Sequence, residues 1–127
     1  MPRRLEPEPY SEKIGQRIVS LRSEYDLTME ALANLAAISK GHLSSTERGL
    51  AVPTAVTLER LAFSLEQRPF VMLLLPDEDP LDALVDRIRK LSPGQRRRLQ
   101  ALVRSLEKEE ATRQARRRSA DKPRSIP

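Results

Sequence analysis

The stretch at 27–49 reads LTMEALANLAAISKGHLSSTERG and decides the fold. Thr28 precedes an apolar-periodic segment carrying Leu32, Ala33, Leu35 and Ala36, with Glu30 in the first turn, so the pattern predicts a helix capped by Thr28. Ala37 and Ile38 interrupt that period. Ser39 can cap a second, shorter helix holding Leu43, and Gly49 suits the residue that stops it. Ala33 and Ala36 are small enough to let the two helices cross closely. Two short helices joined by a tight turn have the geometry of a helix-turn-helix.

The flanking sequence supplies the rest of a small helical domain. Upstream, Ile14, Ile18 and Leu21 fall at i, i+4 and i+7, with Ser11 as the expected N-cap. Downstream, Thr54 can cap a helix with Leu58, Leu61, Ala62 and Leu65 on one face. Pro69 suits the first position of a fifth helix that ends before Pro76. Nothing alternates with the period of a strand. The expected fold is all-α: a five-helix domain at 10–75 with a C-terminal helical hairpin or dimerisation extension.

Composition punctuates the chain outside that domain. Residues 1–9 carry three Pro and four charges and are expected to form a flexible arm. Pro76 and Pro80 bracket Asp77, Glu78 and Asp79, so 76–80 reads as a linker. Asp79 and Pro80 then give a cap and a first helical residue, followed by the stripe Leu81, Leu84, Val85, Ile88 and Leu91. Ser92-Pro93-Gly94-Gln95 has the form of a capping box, and Leu99, Leu102, Val103 and Leu106 make the next stripe. Each stripe at 81–110 is too narrow to form a core alone. They must pack on each other, on the five-helix domain or on another copy. Residues 111–127 are basic and are expected to be disordered.

The inventory of residue types removes many chemistries. Of 127 residues, Leu, Ile, Val and Phe number 32, while Phe and Tyr together number four and Trp is absent, so the core must be aliphatic. There is no Cys, which excludes disulfides, zinc fingers, iron–sulfur clusters and a thiolate nucleophile. The single His, His42, cannot build a multi-histidine metal site. Four Gly leave no phosphate-cradling loop. No cofactor or metal is expected, and an enzyme is the least supported class. The longest apolar run, 70–75, has six residues, and the N-terminal MPRRLEPEPY lacks the apolar stretch of a signal peptide. These features lead us to expect a cytoplasmic protein with no membrane partner.

Net charge is +5, which first suggests nucleic acid. Yet residues 1–75 hold nine basic and nine acidic groups, whereas 93–127 hold eleven basic and four acidic. The expectation of DNA therefore rests on the helix-turn-helix pattern and not on the charge. The clusters at 96–98 and 116–118 read either as a solvated helix face or as salt-sensitive phosphate contacts.

Several segments agree with one known pattern: IGQRIVSLR at 14–22, LTMEALA at 27–33, Ile38-Ser39, HLSSTERG at 42–49, Pro53-Thr54 and TLERLAFSL at 57–65. Over about half of the chain, 14–73, the sequence resembles the phage-repressor/Cro-type family of bacterial regulators, the XRE family. That resemblance implies a lambda-repressor-like fold whose helix from Ser39 to Arg48 lies in the major groove of double-stranded DNA. Lys40, Gly41, Ser44 and Ser45 match positions that face bases or nearby phosphates. Lys40 would donate to guanine, and either serine could meet any base edge. Ser39 would cap this recognition helix, and His42, in its first turn, could touch a base or phosphate. Thr28 would aim helix N–H groups at a phosphate. Arg22 and Glu47 match a pair linking the first helix to the recognition helix, either as a structural bridge or as a surface pair. The sequence departs from the family at Met29, Ala37, Thr46, the apolar loop 49–53 and Gln67, which leaves Lys40 as the best donor.

The implied function is a transcriptional repressor, bacterial and nucleoid-associated, acting as a homodimer on a two-fold symmetric operator. Phe70, Met72 and Leu74, with Leu81, Leu84, Val85, Ile88, Leu99, Leu102, Val103 and Leu106, are the dimerisation candidates. The alternative is an antitoxin or protein-interaction regulator on the same fold, binding a protein partner through residues 80–110. A third reading, a non-specific nucleoid-type binder, would depend on the basic C-terminal end.

Overall fold

A computed structural model describes residues 6–121, so positions 1–5 of the expected arm and 122–127 of the expected tail lie outside the described residues. The chain divides into two units, one ending at Asp86 and one starting at Arg87. In order, the helices are α1 (Pro9–Glu24), α2 (Met29–Ala36), α3 (Lys40–Glu47), α4 (Ala55–Ser64), a 3₁₀ turn η1 (Pro69–Leu73), α5 (Pro80–Ile88) and α6 (Pro93–Ala120). Among the described residues there is no strand, as the all-α expectation requires.

Side-chain caps set most helix starts where the sequence places them. Thr28 Oγ1 accepts the Ala31 N–H at 3.0 Å, Ser39 Oγ that of His42 at 3.0 Å, and Thr54 Oγ1 that of Thr57 at 3.1 Å. Each contact satisfies a donor that the first turn leaves without an intrahelical partner. Ser92 and Gln95 close a reciprocal capping box at the start of α6. The exception is α1. Its cap is Glu8 and not Ser11, because the Glu8 carboxylate takes the N–H groups of Tyr10 and Ser11 at 3.1 and 2.7 Å, and Pro9 is set for the first helical position. Ser11 is thereby drawn inside the helix and buried. The arm also ends sooner than expected: Glu8 N–H donates to the Gly49 carbonyl at 3.2 Å.

The helix ends share one device. After α1, α2 and α4 a residue takes the left-handed conformation: Asp26, Ala37 and Glu66, with φ between 52° and 55°. At α2 the Ala37 and Ile38 N–H groups turn back to the Asn34 and Ala33 carbonyls at 3.3 and 3.0 Å, closing a Schellman motif. Ile38 then packs against the core. None of these three residues is a glycine, so each carries left-handed strain of about 1 kcal/mol.

The core of the first unit is aliphatic. Ile18, Leu21, Leu32, Leu43, Leu61, Leu65 and Met72 are fully buried, and burying each such side chain contributes about 1.5–3 kcal/mol. The run at 70–75 splits as its length demands: Val71, Met72 and Leu74 face inward, while Phe70 and Leu73 are exposed. Met72 and Leu74 are therefore core residues, and their expected place in a dimer contact does not hold.

Arg17 is embedded in the apolar stripe of α1. Its Nε donates to the Val71 carbonyl at 3.0 Å, and its Nη2 pairs with Asp86 at 2.5 Å, with both side chains nearly excluded from solvent. Asp82 Oδ2 accepts the Leu75 N–H at 2.9 Å. These bonds bind most of α5 into the first unit, so the boundary lies inside α5 rather than in the expected linker at 76–80.

In the second unit, α6 continues through residues 111–120, where the charge pattern predicts disorder. The run EKEEATRQARRR at 107–118 is made almost wholly of strong helix formers. An Arg113–Glu110 ion pair at 3.3 Å, one turn apart, adds to it. No residue of α6 is buried.

Replacing Ala37 by Gly should relieve the left-handed strain between α2 and α3. The expected gain is at most about 0.6 kcal/mol, the strain of about 1 kcal/mol less the extra chain freedom of glycine in the unfolded state. Urea unfolding checks it, and a loss of stability would show that Ala37 is not strained.

Candidate nucleic-acid interface

The eight residues of α3 present a narrow outer arc. Lys40 and Gly41 are exposed on it, with Ser44 half-buried, and Arg48 continues it just beyond the helix. The spacing 40, 44, 48 repeats every helical turn, so an ammonium, a hydroxyl and a guanidinium follow one another along the arc. Arg48 is not among the residues predicted from the sequence, although that spacing is there to find it. Its Nε reaches the Ser44 carbonyl at 3.4 Å. Thr28 and Ser39 are exposed at the starts of α2 and α3, and His42 is half-buried.

Ser45 does not join this face. It is buried, and among the described residues its Oγ has no hydrogen-bond partner. The chain leaving α3 doubles back past it, since the Leu50 and Ala51 N–H groups donate to the Ser45 carbonyl at 2.9 and 3.3 Å. The expected base contact by Ser45 is thus ruled out by position. Thr46, also buried, satisfies its hydroxyl by donating to the His42 carbonyl at 2.9 Å. That bond lets a polar residue occupy a core site.

The inner side of α3 is fixed to α1 in two ways. Arg22 Nε and Nη2 reach the two carboxylate oxygens of Glu47 at 2.8 and 3.3 Å, and Nη1 donates to the Leu27 carbonyl at 3.0 Å. The side chains are 18% and 4% exposed, so this is an internal bridge and not a surface pair. Beside it, a Cβ on Gly15 would stand 2.3 Å from the Glu47 carbonyl oxygen and 2.6 Å from that of Thr46. Only glycine lets the two backbones meet there. Gly49, at φ 75°, likewise has no room for a Cβ against the Glu12 backbone. Sequence reasoning misses Gly15, though a glycine inside a strong helical period is itself a sign of close approach.

The surface offers donors, hydroxyls and helix N-termini. Among the described residues, no three His, Cys, Asp or Glu come together as a metal cluster. Within them, no helix is long and apolar enough to cross a membrane.

Comparison with known proteins agrees with this geometry. No family model matches the chain. It is 35% identical over 74 residues to the HTH-type transcriptional regulator SinR of Bacillus licheniformis, a match spanning 58% of this chain and 67% of that protein. It is 36% identical over 67 residues to the HTH-type transcriptional regulator y4dJ of Sinorhizobium fredii, spanning 53% and 87%. Among solved structures, the SinR–SinI protein complex matches with a TM-score of 0.52 at 28% identity, covering 75% of this chain and 98% of the matched chain.

Removing Glu47 leaves the Arg22 guanidinium, largely withdrawn from solvent, without its charge partner. Glu47→Ala should therefore lower stability by roughly 3 kcal/mol or more, against about 0–1 kcal/mol for a surface pair. Urea unfolding of the variant distinguishes the two.

Proposed function

Because this chain belongs to the HTH-type transcriptional regulators, and is a DNA-binding protein of that kind, we propose that it is a sequence-specific repressor. It acts as a homodimer on a two-fold symmetric operator in the bacterial cytoplasm, associated with the nucleoid, and has no enzymatic activity. The observation that carries this reading is the outer arc of α3, with Lys40, Ser44 and Arg48 aligned on a helix locked to α1 from behind.

In this reading α3 enters the major groove. Lys40 donates to guanine O6 or N7, Ser44 meets a base edge and Arg48 takes a flanking phosphate. The N-terminus of α2 at Thr28 directs its N–H groups to the backbone, and Ser39, Gly41 and His42 line the approach. A helix of eight residues spans few base pairs, so useful specificity needs two copies reading two half-sites. Leu81, Leu84, Leu102, Val103 and Leu106 are exposed along α5 and α6, which suits a contact between copies. Val85, Ile88 and Leu99 lie beside them, half-buried, and Phe70 extends the exposed apolar surface of the first unit. Repression needs nothing beyond occupancy of the operator.

A second reading is favoured by one comparison: the matched SinR structure is a complex with another protein, SinI. The exposed stripes at 80–110 would then receive a protein partner that controls DNA binding.

Selecting bound sequences from random DNA with the purified chain tests the main reading. A two-fold symmetric site is expected; no enrichment at moderate salt would sink it. On the selected site Lys40→Ala should cost about 1–3 kcal/mol, with a smaller loss on unrelated DNA. Equal losses would mean that Lys40 touches only phosphate.

A further inference from the structure

The DNA-reading arc is poor in positive charge. It offers Lys40 and Arg48, and α2 holds no cation. Sequence-independent attraction to phosphate supplies much of the affinity of a DNA-binding protein, and it scales with the number of cations placed on the backbone. Most of this chain's excess charge is on α6, which carries nine basic and three acidic residues between 93 and 120.

Those charges are ordered around the helix. Leu99, Leu102, Val103 and Leu106 occupy one face. Arg97, Arg104 and Lys108, at i, i+7 and i+11, occupy the opposite face, with Arg96 and Arg98 on its flanks. All five basic residues are exposed. The Glu110–Arg113 pair lies off this ridge. From Arg97 to Lys108 the ridge rises about 16 Å, comparable to several phosphates of one duplex strand. Because it faces away from the apolar stripe, it stays open when a second copy covers that stripe.

We propose that the Arg97–Arg104–Lys108 ridge of α6 is a second nucleic-acid contact, gripping the phosphate backbone of duplex DNA without reading its sequence. The inference builds on the DNA-binding reading above and adds a site outside the helix-turn-helix. It gives the C-terminal charge a role: α3 selects the site and α6 supplies salt-sensitive attraction.

The test is the salt dependence of binding, measured by fluorescence anisotropy of the full chain on a mixed-sequence 30-base-pair duplex, between about 50 and 200 mM salt. Joint Arg97→Gln, Arg104→Gln and Lys108→Gln replacement should flatten the slope of log K against log salt by about 2 units or more, at about 0.9 for each phosphate left without its cation. Arg113→Gln, off the ridge, should change it far less. Arg97→Lys with Arg104→Lys keeps the charge and should keep the slope, which separates weakened attraction from a damaged helix. An unchanged slope in the triple Gln variant overturns the proposal. So does an equal flattening in the Lys variant, or a ridge that binds anionic vesicles while the DNA slope stays put. If selection recovers no operator but the triple variant still flattens the slope, the specific-repressor reading fails and the ridge stands.

Discussion

The rest of the first unit depends on one close approach, the seating of the C-terminal end of α3 on α1. At Gly15 a Cβ would overlap the Glu47 carbonyl, so the two backbones meet where side chains would normally hold helices apart. An interior glycine costs a helix about 1 kcal/mol relative to alanine. That cost is offset by what the approach brings within reach: the two-pronged Arg22–Glu47 bridge, the Arg22 bond to the Leu27 carbonyl, and the Glu8–Gly49 bond at the start of α1. α3 is too short to be stable in isolation. Its orientation is borrowed from α1, and with it the direction in which Lys40, Ser44 and Arg48 face.

The caps explain why much of this is legible in the sequence. Thr28, Ser39, Thr54 and Ser92 act on N–H groups three residues away, and such bonds need no knowledge of the fold. The aliphatic period of α1, α2 and α4 is equally local. Ser11 misleads because the Glu8 carboxylate caps the N–H groups of Tyr10 and Ser11 and Pro9 favours the earlier start, so the helix begins before Ser11. The end of α6 misleads because its charge suggests disorder, although its residues are strong helix formers.

What stays hidden is non-local. Ser45 and Thr46 are polar residues on a helix with one aliphatic anchor, Leu43, so nothing in their period says which is buried. Arg17 bonds residues 54 and 69 positions away; its one local sign is a cation inside an apolar stripe. Gly15 shows its meaning only when α3 is in place. The sequence therefore specifies elements better than the contacts that orient them, and the candidate DNA face depends on orientation.

The clearest test compares two glycines in helices of the same chain. Gly15 faces the carbonyls of Thr46 and Glu47, whereas a Cβ on Gly94 would meet only an Arg97 side-chain nitrogen at 3.8 Å. Urea unfolding of Gly15→Ala and Gly94→Ala should separate them: no loss for Gly94→Ala, and a loss of about 2–3 kcal/mol for Gly15→Ala from forced separation of the two backbones. If Gly15→Ala matched Gly94→Ala, or gained the stability that alanine brings to an open helix, α3 would not depend on that seat and the account would be wrong.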